Sequence, residues 1–204
     1  MMRITRIEPV TKTKYRVSVD EQFAFVVYKG ELSRFHLKEE CELTEDTYAK
    51  IKEVLLKRAK LRAMHLLNDM ARTESQLRDK LKLCGYPSEI TEAAVAYVKS
   101  FGYINDDAYI RNFIDSRKDK KSRREIYALL RQKGVDMNRA EEIMEEMYEV
   151  HSDQEAIREL LHKKHWDFAC TDPKEKQKIY GYLVRKGFRY EDIRQVIQVC
   201  DWNA

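Results

Sequence analysis

A chain of 204 residues, 36% charged and 10% aromatic with a net charge of +4, has room for one or two compact domains or a short array around a thin core. No apolar run reaches the ~20 residues of a membrane span, and Met1 to Val10 lacks the apolar stretch of a secretory signal. Cys41, Cys84, Cys170 and Cys200 are scattered with no CxxC pair, and so read as reduced thiols of a cytoplasmic protein rather than a disulfide framework.

Residues 4–28 read as strands. Tyr15 to Val19 alternates, and Phe23 to Tyr28 is rich in aromatic and β-branched residues. Asp20-Glu21-Gln22 between them is the connection of a hairpin, and Ile4 to Ile7 offers a third strand ahead of Pro9. Two strands alone are marginal, so this element is expected to lean on a helix. Residues 44–71 read as a long helix, with Thr44 as N-cap and Ile51, Val54, Leu55, Ala59, Ala63, Leu66, Leu67 and Met70 at helical spacing. Lys50, Lys57 and Lys60 fall on another side, with Arg58 and Arg62 nearby.

From here one box recurs three times: Leu77 to Tyr86, Ile126 to Val135 and Ile179 to Phe188. Each copy has an aliphatic residue, another four positions later, a glycine four positions after that (Gly85, Gly134, Gly187), then an apolar residue. Positions i and i+4 share a helix face, and glycine takes the left-handed conformation at little cost. The pattern predicts a Schellman ending, with positive φ at each glycine and with Tyr86, Val135 and Phe188 folded back on Leu81, Leu130 and Leu183. A start signal precedes each box: Thr73 with Gln76, Ser122 with Glu125, and Asp172 followed by Pro173 and Glu175. Downstream, Ala94, Val95 and Val98 match Ile143, Met144 and Met147, and then Val196, Ile197 and Cys200, again on one helix face. Phe101 to Asp107 marks the first junction, with Gly102 as stop and Asn105-Asp106 as start; Ser152 with Glu155 opens the last unit.

A period of about 50 residues leaves room for one further helix before each box. The expected fold is therefore mainly α: three tandem three-helix repeats behind a small N-terminal β-hairpin element. The boundaries drawn are 1–43 for the β element, 44–105 for the long helix and first repeat, 106–151 for the second and 152–204 for the third.

Charge is segregated along the chain. Arg111 to Lys133 carries nine bases and three acids, whereas Asp136 to Glu159 carries nine acids and two bases. Such blocks suit an acidic polymer or a charged protein surface, or are simply solvated helix faces. Convergent polar residues of an enzyme are scarce. His162, His165, Asp167 and Cys170 form the most metal-like group, yet beside Lys163 and Lys164 they read better as surface residues. Glu141, Glu142, Glu145, Glu146 and Glu149 resemble a nuclease carboxylate cluster only superficially, since they fall opposite Ile143, Met144 and Met147. No phosphate-binding glycine loop and no GxSxG is present. Neither catalytic residues, nor metal ligands, nor a cofactor are expected.

The basic run Arg117, Lys118, Lys120, Lys121, Arg123 and Arg124 stands at the start of the second box helix, where the helix dipole adds to side-chain charge. Lys57, Arg58, Lys60, Arg185, Lys186 and Arg189 form the supporting candidates for nucleic-acid or protein contact. Tyr109, Tyr127 and Tyr180 have the chemistry to stack on bases, though packing is the commoner role.

Taken in order, these residues resemble the bacterial RecX regulators. Arg72-Thr73, Gln76-Leu77 and Lys80-Leu81 are similar to the family's first motif, followed by Gly85-Tyr86 with Ile90 and then Gly102-Tyr103-Ile104-Asn105-Asp106. Arg117, Ile126, Leu130 and Lys133-Gly134-Val135 resemble its middle block, and Tyr182 to Phe188 its C-terminal one. The resemblance covers roughly residues 59 to 200. It departs at Ser122, where the family often has glycine, and at Arg78, where the other two boxes have tyrosine. It implies a monomeric, non-enzymatic inhibitor of the RecA recombinase. Such a protein binds the RecA filament on single-stranded DNA, and bare single strands weakly, in DNA repair, with no role for a membrane. The alternatives are a stand-alone nucleic-acid-binding repeat protein and a metal-dependent nuclease using the Glu-rich helix.

Overall fold

The computed structural model of the chain describes residues 2–148, 152–167 and 172–199. It is mainly helical, with tandem three-helix units behind an N-terminal antiparallel sheet. Its residues fall into two compact units, Met1–Asn105 and Asp106–Ala204.

The first unit opens with β1 (Met2–Pro9), β2 (Lys14–Val19) and β3 (Gln22–Tyr28). Val19 pairs with Gln22, so the hairpin loop is the two residues Asp20 and Glu21. Both have positive φ, 48° and 65°, as a type I′ turn matched to strand twist requires. Neither residue is glycine, and β1 holds the strained turn: Asp20 N–H donates to the Arg3 carbonyl (2.9 Å), and Glu21 N–H donates to Thr5 Oγ1 (3.1 Å). Residues 29–43 carried no legible pattern. They form α1 (Lys29–Arg34) and the short β4 (Glu42–Leu43), which extends the sheet to the order β3-β2-β1-β4. Six residues are too few to show helical periodicity. Here Tyr28 N–H donating to Glu31 (2.7 Å) starts the helix, and His36 at φ 52° ends it.

As the marginal stability of a hairpin demands, the sheet packs on α2 (Glu45–Asp69). Ile4, Val17, Phe25, Val27 and Leu43 share one core with Ile51, Leu55, Ala59 and Ala63. Thr44 caps α2 by accepting from Thr47 N–H (3.3 Å). The expected face is buried at Ile51, Leu55, Ala59, Ala63 and Leu66, but Met70, beyond the helix, is exposed. The first unit closes with α3 (Glu74–Leu83) and α4 (Ser88–Ser100).

The second unit runs α5 (Asp106–Asp115), α6 (Arg123–Gln132), α7 (Met137–Met147), α8 (Ser152–Lys163), α9 (Pro173–Arg185) and α10 (Tyr190–Val199). One arrangement recurs: the first and third helices of each repeat (α2 with α4, α5 with α7, α8 with α10) pack most closely, and the box helix leans on that pair. Fully buried alanines, Ala59, Ala63 and Ala94 in the first repeat, Ala140 in the second and Ala156 in the third, let these backbones approach. Each repeat has its own core. Leu81, Leu130 and Leu183, all 0% exposed, occupy matching places in the three, each with the apolar residue that follows the glycine. Cys200 and Glu149 lie outside the described residues.

The helix ends take the expected form. Gly85, Gly134 and Gly187 have φ of 85°, 70° and 90°. Gly85 N–H bonds the Lys82 carbonyl (2.9 Å) and Tyr86 N–H the Leu81 carbonyl (3.3 Å), the two bonds of a Schellman motif. Gly187 and Phe188 repeat them on Val184 (2.9 Å) and Leu183 (3.3 Å), and Gly134 N–H bonds Arg131 (3.1 Å). Two glycines are required for space as well. A Cβ at Gly85 would lie 2.4 Å from Val26 Cγ2, and one at Gly187 2.8 Å from Ser122 Oγ. At α8 the left-handed position is filled by His165 (φ 52°), with Trp166 N–H closing on Leu161 (3.0 Å).

Alanine at these positions separates the two effects. Gly102 has φ 72° and no atom near its missing Cβ, so Gly102→Ala should cost only the ~1–2 kcal/mol of a left-handed residue. Gly85→Ala, which adds the clash with Val26, should cost distinctly more, and Leu130→Ala ~2–5 kcal/mol. His165→Gly should stabilise by about 1 kcal/mol. Urea midpoints at constant slope measure all four; equal costs at Gly85 and Gly102 would show that the close approach to β3 is dispensable.

Candidate functional site

The basic run of the second repeat is built by two elements. After α5, Arg117 and Lys118 N–H groups bond the Ile114 carbonyl (2.9 and 2.8 Å), and Lys120 and Lys121 N–H groups bond that of Arg117 (2.9 and 3.0 Å). The run therefore begins as tight turns continuing α5, and only Arg123 and Arg124 belong to the first turn of α6. Ser122 sits between them, 0% exposed. Its Oγ accepts from Glu125 N–H (3.1 Å), capping α6, and donates to the Lys186 carbonyl (2.8 Å) at the end of α9. One hydroxyl thus satisfies orphan groups at two helix ends. A hydrogen in place of this side chain could do neither, which gives the departure from glycine at this position a structural role.

A second bond fixes the third repeat to the same place. Asp153, in the first turn of α8, accepts from Arg123 N–H (2.9 Å). Burial pushes its carboxyl above the ordinary range, opposed by that hydrogen bond. Within the second unit, these contacts bring Arg124 of α6 beside Arg185 and Lys186 at the end of α9. With Tyr182 and Val184 the three line a cleft of about 630 Å³.

The other candidates behave differently. Arg117 folds back over the Phe113 ring (3.9 Å), and Lys118 pairs with Asp115 (3.1 Å). Lys121 pairs with Glu125, and Arg123 reaches Glu145 (4.0 Å). Lys120 and Arg189 are exposed. In the first unit Lys57 is exposed, Lys60 lies over Tyr97 (4.3 Å), and Arg58 is held bidentately by Glu31 (2.9 Å) with both side chains about four-fifths buried. Tyr109, Tyr127 and Tyr180 are half-buried against the cores of their repeats.

The acidic helix α7 is an ion-pairing partner of its own repeat. Glu142 meets Arg139 (2.7 Å), Glu146 meets Arg111 (2.5 Å), and Glu141 and Glu145 are exposed. Arg139 also binds Asp107 through two nitrogens (2.9 and 2.7 Å), tying α7 to α5. This contact holds the Asp107 carboxyl below its usual range and raises the guanidinium. Asp107, in the first turn of α5, is thus a tie between helices. Among the described residues no three His, Cys, Asp or Glu side chains are grouped to hold a metal ion; Cys170 lies outside them. No described helix is long and apolar enough to cross a membrane.

Comparison with known proteins gives a consistent result. Residues 59–97 match the model of the first three-helix domain of RecX, and residues 152–197 that of the third. The regulatory protein RecX of Caldanaerobacter subterraneus subsp. tengcongensis is 33% identical over 97% of this chain and all of its own length. That of Clostridium botulinum, strain Alaska E43, is 27% identical over 97% of this chain and 96% of its own. In fold, the chain resembles a crystal structure of a regulatory protein RecX with a TM-score of 0.60, over 97% of this chain and 99% of that one, at 24% identity. It also resembles RecX from Lactobacillus salivarius with a TM-score of 0.61, over 74% and 99%, at 22% identity.

Two substitutions test the junction between the second and third repeats. Ser122→Ala removes a cap and leaves the Lys186 carbonyl without its donor, for an expected loss of ~1–3 kcal/mol. Asp153→Asn keeps an acceptor for Arg123 N–H but carries no charge. Because folding raises the Asp153 pKa, the folded state binds the extra proton, and this group's contribution falls as pH rises from its ordinary 3.8 through its folded value. Asp153→Asn should therefore melt higher than the parent at neutral pH, and the difference should vanish below about pH 3.8. A pH-independent difference would show that the carboxylate is not desolvated.

Proposed function

Because the chain belongs to the RecX family of regulatory proteins, we propose that it is a non-enzymatic inhibitor of RecA, binding the RecA filament on single-stranded DNA. Its effect is to reduce ATP hydrolysis, strand exchange and co-protease activity. The observation that carries this reading is the 33% identity to a regulatory protein RecX along almost the whole chain. Physical features support it. Arg124, Arg185 and Lys186 line one cleft of the second unit, a surface suited to phosphate or to an acidic protein face. Two glutamates of α7, Glu142 and Glu146, are ion-paired with Arg139 and Arg111 of their own repeat.

A RecA ATPase assay on single-stranded DNA tests the reading, with inhibition expected at saturating protein. The triple variant Arg124→Gln, Arg185→Gln, Lys186→Gln should melt within about 1 kcal/mol of the parent, as surface changes do, and should lose most of the inhibition. By contrast Arg58→Gln, which strands the largely buried Glu31 carboxylate, should lower stability. Binding to bare single strands should be weaker than to the filament at equal salt, with a log–log slope of about −0.7 per phosphate neutralised. If RecA activity is untouched while bare DNA binds as well as the filament, the protein is a stand-alone nucleic-acid module. If the triple variant inhibits like the parent, the α6–α9 cleft is not the contact.

A further inference from the structure

The end of α4 breaks a rule kept at the three boxes. There the residue after the left-handed glycine is buried: Tyr86 8%, Val135 7% and Phe188 4% exposed. At Gly102 the same Schellman geometry recurs, with Gly102 N–H on the Lys99 carbonyl (2.9 Å) and Tyr103 N–H on that of Val98 (3.0 Å). Yet Tyr103 is 57% exposed, and Ile104, one residue later, is the one buried, at 4%. Phe101 is 59% exposed as well. The two rings stack at 6.0 Å and 20°, and Phe101 rests on Tyr97 at 4.9 Å. Lys60 Nζ covers the far face of the row, 4.3 Å from the Tyr97 centroid. Three aromatic rings thus form a row whose outer end is a large exposed ring on a hydrogen-bonded backbone turn.

That outer end opens on a cleft. Tyr103 lines it together with Leu61, Met64, His65, Leu67 and Asn68 of α2, and its volume of about 460 Å³ falls within the range that takes small organic groups. Leu61 and Met64, 54% and 39% exposed, make its wall apolar. Leu61 and His65 also line the neighbouring cleft, which is basic: Lys14, Arg58 and Arg62 converge there beside Tyr28 and Tyr86. Burial pushes the Tyr86 hydroxyl up to about 12, so it stays a neutral donor. Arg58 is held by Glu31, but neither Lys14 nor Arg62 has an ion pair among the described residues. An apolar, aromatic slot next to a basic trough in which two cations, Lys14 and Arg62, have no described ion pair has the two halves of a nucleotide's chemistry.

We propose that the first unit binds single-stranded DNA here. An unstacked base lies on Tyr103 in the α2 cleft, Phe101 and Tyr97 support that ring from behind, and the adjoining phosphates run over Lys14 and Arg62. Asn68 presents an amide to the base edge. The occupant is single-stranded because every base has a face to stack, whereas a duplex keeps those faces covered. The inference deepens the reading above by naming a contact for the DNA strand, and it rests on that reading for the class of ligand.

The test uses the full chain without RecA. Anisotropy of a labelled oligothymidine and fluorescence of one carrying 2-aminopurine are followed for the parent, Tyr103→Leu, Tyr103→Trp and Arg62→Gln, each first shown to melt like the parent. Tyr103→Leu should weaken binding about tenfold, the effect of one lost base stack, without changing the salt slope. Tyr103→Trp should restore affinity and quench 2-aminopurine. Arg62→Gln should instead reduce the slope by about 0.7. A duplex of the same length should be indifferent to Tyr103. Equal binding by the parent and Tyr103→Leu, failure of Trp to restore it, or no binding by the parent even at low salt would overturn the proposal. So would a Tyr103→Leu variant that binds DNA normally but no longer inhibits RecA, since the row would then dock protein. Tyr103-dependent DNA binding in a protein without effect on RecA would leave the site standing and remove the RecA reading.

Discussion

Each three-helix unit depends on one backbone event, a residue in the left-handed conformation that stops a helix and turns the chain back on its last turn. Only there can the N–H groups beyond the helix reach carbonyls that would otherwise be orphaned, and only there does the next apolar residue arrive over the leucine one turn into the box. Gly85, Gly134 and Gly187 supply it for the boxes, and Gly102 does so for α4. His36 and His165 do so without the freedom of glycine, at a cost of ~1–2 kcal/mol each. The glycines have a second duty. Gly85 lies against Val26 of the sheet, and Gly187 against Ser122, so helix ends serve as contact points where a side chain would hold neighbouring elements apart.

The contact at Gly187 shows how the second and third repeats are joined. Each repeat closes its own small core, as expected of an array whose units touch only their neighbours. Between the second and third repeats, polar groups at helix ends do the joining: Ser122 to the Lys186 carbonyl, Asp153 to the Arg123 N–H. Such bonds are directional and short-ranged. They set the register of α6 against α8 and α9, and thereby set Arg124 beside Arg185 and Lys186.

Electrostatics divides the surface in a way that charge counts miss. Exposed ion pairs contribute little to stability, but they decide which charges remain available. Lys118, Lys121 and Arg139 are engaged within their own repeat, and Arg58 within the first unit. Lys120, Arg124 and Arg62, by contrast, face solvent. A dense basic run in sequence therefore becomes a few free cations whose positions are set by cleft geometry rather than by density.

Read from sequence alone, the repeat, the caps and the stops were legible because each rests on interactions spanning a few residues. Helical spacing, a hydroxyl three residues ahead of an N–H, and glycine where φ must be positive are all local. The N-cap bonds of Thr44, Thr73, Ser122 and Asp172 and the positive φ of the three box glycines follow from that. Helix α1 and strand β4 were not legible, because six and two residues are too short for periodicity and are ordered by burial of Leu37 and pairing with β1. Tertiary structure alone decided that Ser122 meets a carbonyl 64 residues away, that Asp107 binds Arg139, and that half the basic run is already partnered. It alone also decided that Tyr103, a tyrosine after a glycine just like Tyr86, turns outward while Tyr86 turns in. The glycine-tyrosine pair at those two positions is the same. What differs is the surface each helix end meets, and that is fixed only once distant parts of the chain have packed.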